Sequence, residues 1–185
     1  NSLGKEFIYR VHDKGFEIFL DLKLHDIPNT VKKSIQGLKT LPIKMLTIHT
    51  SGGVKMMQAA MQAVQNIDIK VFGVTALTSL TDEDTNCIFR RDVQDQVKAM
   101  LDLAEEAGID GIVCSPNELH LVAPRNSLLS ITPGIRFLPS DDDQRRIMTP
   151  KQATELGADF IVIGRPITES DNISKLLNDL NEQIK

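Results

Sequence analysis

Phe19-Leu20-Asp21-Leu22-Lys23-Leu24-His25-Asp26-Ile27-Pro28-Asn29-Thr30 is the stretch from which the rest of the chain can be read. Side chains alternate faces along a strand, so Asp21 and Lys23 share one face while Leu20, Leu22 and Leu24 share the other. The leucine face predicts packing against a helix layer. An Asp and a Lys together on the inner face imply buried charge, which is costly unless the two ions pair. Pro28 suits a first helical position, which places Asp26 on a short turn between strand end and helix start. The plain reading of Asp-x-Lys is a structural ion pair at a strand terminus, since such networks also perturb ionisation. Asp26 adds a third charge just beyond the strand end and favours chemistry. His25 reads as a packing neighbour rather than a base.

Outward from this segment, apolar runs and amphipathic stretches alternate from end to end. Strands are predicted at 17–23, 44–49, 70–74, 111–114, 128–131 and 160–163, and helices at 28–41, 53–65, 93–107, 116–122, 150–156 and 173–182. Ser115-Pro116-Asn117-Glu118 and Thr149-Pro150-Lys151-Gln152 each offer an N-cap, a proline at the first helical position and a capping-box residue. Gly108 and Gly157 each follow a helical run where a left-handed C-cap belongs. Regular alternation of strand and helix implies a parallel sheet flanked by helices, an α/β fold. The spacing, roughly 30 residues per unit, is that of a (β/α)8 TIM barrel. Six strands do not close such a barrel. Two alternatives follow: an open doubly wound sheet, or a barrel whose first one or two βα units are missing. A Gly-x-Gly-x-x-Gly turn after a first strand, the mark of a dinucleotide site, is absent. No linker or low-complexity tract divides the chain, so a single domain over 1–185 is expected.

The 185 residues suffice for one sizeable core, and 41% hydrophobic with 25% charged residues is ordinary for a soluble globular protein. A net charge of -4 argues against a general nucleic-acid binder. A run of about 18 apolar residues, the length of a membrane span, is not found. The opening Asn-Ser-Leu-Gly-Lys-Glu lacks the basic-then-apolar order of a secretory leader, so a cytoplasmic protein is expected. Cys87 and Cys114 lie in unrelated contexts and read as reduced thiols.

A second group of residues follows the last two predicted strands: Thr132-Pro133-Gly134-Ile135-Arg136 and Gly164-Arg165-Pro166. Loops after the last two strands of a barrel commonly build a phosphate site from backbone N–H groups near a helix start. Gly164 lets backbone approach an anion closely, and Arg165 can bind its oxygens in a bidentate manner. Alone, an arginine at a strand end reads as a solvated surface residue. The polar loop Pro139-Ser140-Asp141-Asp142-Asp143-Gln144-Arg145-Arg146 lies between these strands and could close over the anion. Its three aspartates read as loop solvation, because they lack a regular metal-ligand spacing.

Asp21-Leu22-Lys23-Leu24-His25-Asp26-Ile27-Pro28-Asn29-Thr30 resembles the Asp-x-Lys-x-x-Asp signature of orotidine 5'-monophosphate decarboxylases in their bacterial form. Further matches follow in the family's order: His49-Thr50-Ser51-Gly52-Gly53, Leu77-Thr78-Ser79, Val113-Cys114-Ser115, Thr132-Pro133-Gly134-Ile135-Arg136, Asp143-Gln144-Arg145-Arg146-Ile147-Met148-Thr149-Pro150 and Val162-Ile163-Gly164-Arg165-Pro166. The resemblance implies a homodimeric (β/α)8 barrel that converts orotidylate to UMP and carbon dioxide without metal or cofactor. Asp21 would lie beside the substrate carboxylate and Lys23 would protonate C6. Asp26 would reach into the partner's site, with Thr30 at the ribose. Thr78 would contact the pyrimidine, and Arg136, Gln144, Gly164 and Arg165 would hold the phosphate. Ile27 and Pro133 complete the implied substrate-binding set.

The chain departs from that pattern near its start. The family's first strand, which ends in a ribose-binding Asp, has no counterpart, and Ser2 stands where a Lys of the second strand is expected. The stretch from Lys5 to Phe16 is shorter than the family's second helix, and the loop before Gln144 is slightly short. Two rivals remain. One is a magnesium-dependent sugar-phosphate decarboxylase on the same barrel, against which the Ile27-Pro28-Asn29-Thr30 continuation argues. The other is a non-catalytic nucleotide-phosphate binder that keeps the phosphate loops but lacks half of the charge network.

Overall fold

The computed structural model describes residues 3–136 and 148–184, which form two compact units. The first takes in Asn1–Thr75 and Met100–Gly111, the second Ala76–Ala99 and Ile112–Lys185. Both are built from alternating strands and helices, an α/β architecture with six strands among the described residues.

In the first unit the order is α1 (Gly4–His12), β1 (Phe19–Leu24), α2 (Pro28–Gln36), β2 (Met45–His49), a 3-10 turn (Thr50–Gly52), α3 (Gly53–Val64) and β3 (Lys70–Val74). β1 pairs in parallel with β2, and β2 with β3 in an unbroken register from Met45 against Lys70 to His49 against Val74. Leu46, Ile48, Val71 and Phe72 on the strands and Val31, Ile35, Met56, Met57 and Ala60 on α2 and α3 are all buried. Each of these side chains apart from Ala60 contributes roughly 1.5–3 kcal/mol on leaving water. Helix α2 starts at Pro28, as expected, but ends at Gln36 rather than 41. Gly37 costs about 1 kcal/mol as a helix former, and the chain goes on in turns, with Leu38 N–H donating to Ile35 O at 2.9 Å. Helix α1 was not among the predicted elements. It buries none of its residues, and its Tyr9 hydroxyl donates to Thr40 O at 3.0 Å.

The second unit holds α4 (Asp82–Phe89), the first half of α5 (Val93–Ala107), β4 (Gly111–Val113), a 3-10 turn (Pro116–Glu118), α6 (Leu119–Val122), β5 (Leu129–Thr132), α7 (Pro150–Glu155), β6 (Phe160–Ile161), α8 (Arg165–Thr168) and α9 (Ile173–Gln183). β5 and β6 run parallel, Ile131 opposite Phe160, and Cys114 N–H donates to Ile131 O just past β4. Ile112, Leu119, Val122, Ile131, Ile135 and Ala153 form the buried core. The stretch predicted as one helix at 116–122 is the 3-10 turn followed by α6, with Ser115 Oγ accepting from Asn117 N–H. Thr149 and Gln152 make the expected capping box.

One device recurs in both units. Gly108 and Gly157 adopt φ of +69° and +89°, the left-handed C-cap that only glycine takes without strain. Two residues on, an aspartate reaches across to a strand start: Asp110 accepts from Val71 N–H and Asp159 from Ser130 N–H, each at 2.8 Å. Helix exit and strand entry are thereby fixed together. Among the described residues no helix is long and apolar enough to cross a membrane, and both cysteines are free, Cys87 exposed and Cys114 buried. Burial pushes the Cys114 thiol up to about 12.

Candidate active site

Asp21 and Lys23 lie on one face of β1 as alternation predicts, but the strand that carries them is not regular. Leu20 stands opposite Leu46 and Leu24 opposite Ile48, so β1 spends four residues where β2 spends two. Lys23 lies within this bulge with φ +52°, a left-handed conformation that costs a non-glycine residue roughly 1–2 kcal/mol. Its N–H donates to Thr47 Oγ1 at 2.8 Å. The Thr47 hydroxyl in turn donates to Asp21 Oδ1 at 2.8 Å, while Lys23 Nζ pairs with Asp21 Oδ2. The two ions are not buried as the sequence suggested: the Lys23 and Asp21 side chains are 42% and 46% exposed. Only the threonine beneath them is fully enclosed.

Two imidazoles border this cluster. His49 ends β2, and its ring centroid lies 5.3 Å from that of His25. Burial holds His49 below the ordinary imidazole value, with the charges of His25 and Lys23 adding and Asp21 opposing. The shift favours the neutral imidazole. Beyond β1, Asp26 Oδ1 accepts from Ile27 N–H at 2.7 Å, and Thr30 N–H donates to Ile27 O at 3.0 Å. Asp26, Ile27 and Thr30 are exposed on this strand-to-helix turn. The arrangement offers a cation held by one carboxylate on a strained strand end, with a second carboxylate three residues on from the cation.

In the second unit, Val162 N–H donates to Thr132 O at 2.9 Å, so Pro133 and Gly164 follow adjacent parallel strands at the same end. Gly164 precedes α8, its carbonyl accepts from Ile167 N–H at 2.9 Å, and a Cβ there would meet open space. Arg165 opens that helix and is half-buried. Arg136 is not a solvated surface residue: it is 7% exposed, and its Nη1 donates to Ile135 O at 3.0 Å. Its N–H donates to Met148 O at 3.0 Å, part of an isolated bridge between Ile135 and Met148. Thr78 lies half-buried in the turn before α4. Gln144 and the polar loop around it lie outside the described residues, as does Ser2.

The structure thus gathers Asp21 and Lys23 at one strand end of the first unit, and Pro133 and Gly164 at paired strand ends of the second. Sequence reasoning missed Thr47 and gave no role to His49, which entered only as part of a matching segment. A usable signal existed: they alternate on β2, so any face presenting His49 to β1 also presents Thr47.

The chain matches the "Orotidine 5'-phosphate decarboxylase / HUMPS family" over residues 1–178. Orotidine 5'-phosphate decarboxylase of Staphylococcus saprophyticus is 47% identical over 180 residues, covering 91% of this chain and 76% of that protein. The enzyme of the same name from Wolbachia pipientis is 49% identical over 172 residues, with the same two shares. The crystal structure of orotidine 5'-phosphate decarboxylase from Lactobacillus acidophilus has a TM-score of 0.84 at 32% identity, covering 98% of this chain and 81% of that one. With a family match over residues 1–178 and a relative 47% identical, this chain belongs to the orotidine 5'-phosphate decarboxylase / HUMPS family.

Proposed function

We propose that this chain decarboxylates orotidine 5'-monophosphate to UMP in pyrimidine biosynthesis, with Lys23 as the proton donor. The observation that carries the reading is the Asp21–Lys23 pair at the end of β1, in a chain nearly half identical to proteins of that name. The bond between C6 and the carboxylate breaks, carbon dioxide leaves, and the electron pair stays on C6. A fixed cation stabilises that developing carbanion, and the Lys23 ammonium then gives C6 a proton. Lys23 is left neutral and takes a proton from water to complete the cycle. Asp21 holds the ammonium and faces the leaving carboxylate.

Thr78 contacts the pyrimidine, and Pro133, Arg136, Gln144, Gly164 and Arg165 receive the phosphate. Binding energy from the phosphate, remote from the reacting carbon, positions the ring. Asp26, Ile27 and Thr30 lie exposed, Ile27 to 67%, which suits residues covered by substrate or by a second copy of the chain. We take Asp26 to reach the partner's site in a cytoplasmic homodimer. The fold is then a single (β/α)8 barrel of which this chain carries six βα units. The exposure of Phe160 in β6 and of Val162 just past it, at 39% and 37%, fits a strand end that a further unit covers. Neither metal nor cofactor enters the scheme.

The test is the loss of orotidylate absorbance, with UMP as product, in excess EDTA. Turnover that persists in EDTA and disappears in Lys23→Ala supports the reading. Turnover lost on chelation points to the magnesium-dependent sugar-phosphate decarboxylases, and UMP binding without turnover points to a non-catalytic binder.

A further inference from the structure

The bulged strand end raises a question that the ion pair alone does not answer. A lysine in a left-handed conformation relaxes toward extended backbone unless something over-determines it. Three features of Thr47 do so. Its hydroxyl has one hydrogen and two lone pairs, and both kinds of site are occupied: the hydrogen on Asp21 Oδ1, a lone pair on the Lys23 N–H. The partners are two residues apart on the irregular strand, so one atom fixes both sides of the bulge. Thr47 itself is set in the regular β2–β3 register opposite Phe72, is 0% exposed, and has the stiff χ1 of a β-branched residue. The anchor is rigid and dry, so no bulk water stands ready to replace the hydroxyl.

We infer that Thr47 is the positioning residue for Lys23 and Asp21: its hydroxyl holds the lysine backbone in the bulge and fixes the carboxylate plane from which the ammonium is held. With Oδ1 engaged by Thr47, the carboxylate presents Oδ2 to Lys23 Nζ, and the direction of the ammonium follows from the two contacts together. Thr47 touches no reacting atom. It acts only through its two partners, and its consequence for turnover rests on the proposed role of Lys23.

Thr47→Val keeps the shape and removes both hydrogen bonds, while Thr47→Ser keeps the hydroxyl. Two readouts separate the positioning from the chemistry. Amide hydrogen exchange at Lys23, followed by NMR in the intact protein, is expected to quicken about tenfold or more in Thr47→Val and to stay close to the parent in Thr47→Ser. The kcat for orotidylate is expected to fall on the order of 10- to 100-fold in Thr47→Val, the scale of a misplaced reacting group, with UMP affinity changed less than about twofold. Thr47→Ser is expected to restore most of it. Unchanged Lys23 exchange in the valine variant overturns the inference whatever the activity. So does a parallel fall of kcat and UMP affinity, which would mean that Thr47 merely supports the fold. Lys23→Ala is assayed alongside: full turnover there sinks the proposed proton donor, and the exchange measurement still decides whether Thr47 sets the Lys23 backbone.

Discussion

Two of the lysine–aspartate pairs in the first unit are alike in composition and in lysine exposure but not in their surroundings. Lys44 pairs with Asp68, and the two side chains are 44% and 80% exposed. Lys23 pairs with Asp21, at 42% and 46%. The pairs differ in what stands behind them. Asp68 lies in the turn before β3 and is held by Lys44, with the charge of Lys70 adding, whereas Asp21 also takes the Thr47 hydroxyl and shares its strand with a left-handed Lys23. Exposed pairs of the first kind add little to stability and are screened by salt. The second kind carries strain, and strain at a strand end is retained where the geometry is used. Composition therefore does not distinguish the two pairs; the anchoring does.

The largest expected effect separates the two aspartates. Asp21→Asn should lower kcat/KM for orotidylate by roughly 10²- to 10⁴-fold, the range typical of acid–base positioning and charge stabilisation. Asp68→Asn should leave it within about twofold. Equal behaviour in the two variants would erase the distinction.

A smaller effect is expected from the surroundings of the Asp21–Lys23 pair. The folded-state value of His49 is lowered from 6.5, mainly by burial. In the unfolded chain His49 takes a proton at a higher pH than in the folded one, so stability is full above 6.5 and is lost as the pH falls from there through the lowered folded value. Thermal melting between pH 7.5 and 5 should show that decline, and His49→Gln should flatten it. A slope unaltered by the substitution would assign the acid sensitivity elsewhere.

The smallest effect belongs to the surface pair. A hydrogen bond and charge from each partner lower Asp68 from 3.8 and raise Lys44 from 10.5. The pair's contribution is thus present between these values, lost as the pH falls through the lowered Asp68 value and lost again as it rises through the raised Lys44 value. Lys44→Met should shift Tm by no more than about 1–2 °C at pH 7, the scale of an exposed pair, and less in high salt. A larger shift that resists salt would make this pair more than a surface contact.

Much of this was legible in the sequence because it is periodic. The shared face of Asp21 and Lys23 follows from alternation, and Val93–Ala107 was bounded to the residue by its apolar spacing. What escaped depends on partners far along the chain. The bulge at Lys23 is set by Thr47, 24 residues on, and no local pattern marks it. Helix α4 went unread because Asp82-Glu83-Asp84-Thr85-Asn86 is rich in poor helix formers. It is held instead by the Thr81–Asp84 capping box, and its Asp82 carboxylate accepts from Val93 N–H at the start of α5. Arg136 was read as a phosphate-holding residue, and its near-complete burial, a tertiary outcome beside the bridge between Ile135 and Met148, was not legible.

The most direct test sets the two lysines against each other under identical conditions: kcat/KM for orotidylate in Lys23→Ala and in Lys44→Ala. The account predicts a loss of at least about 10²-fold for Lys23→Ala, as for removal of a general acid, and a change within about twofold for Lys44→Ala. Comparable rates in the two variants would contradict it, because the cation on the bulged strand would then be no more than the one on the surface.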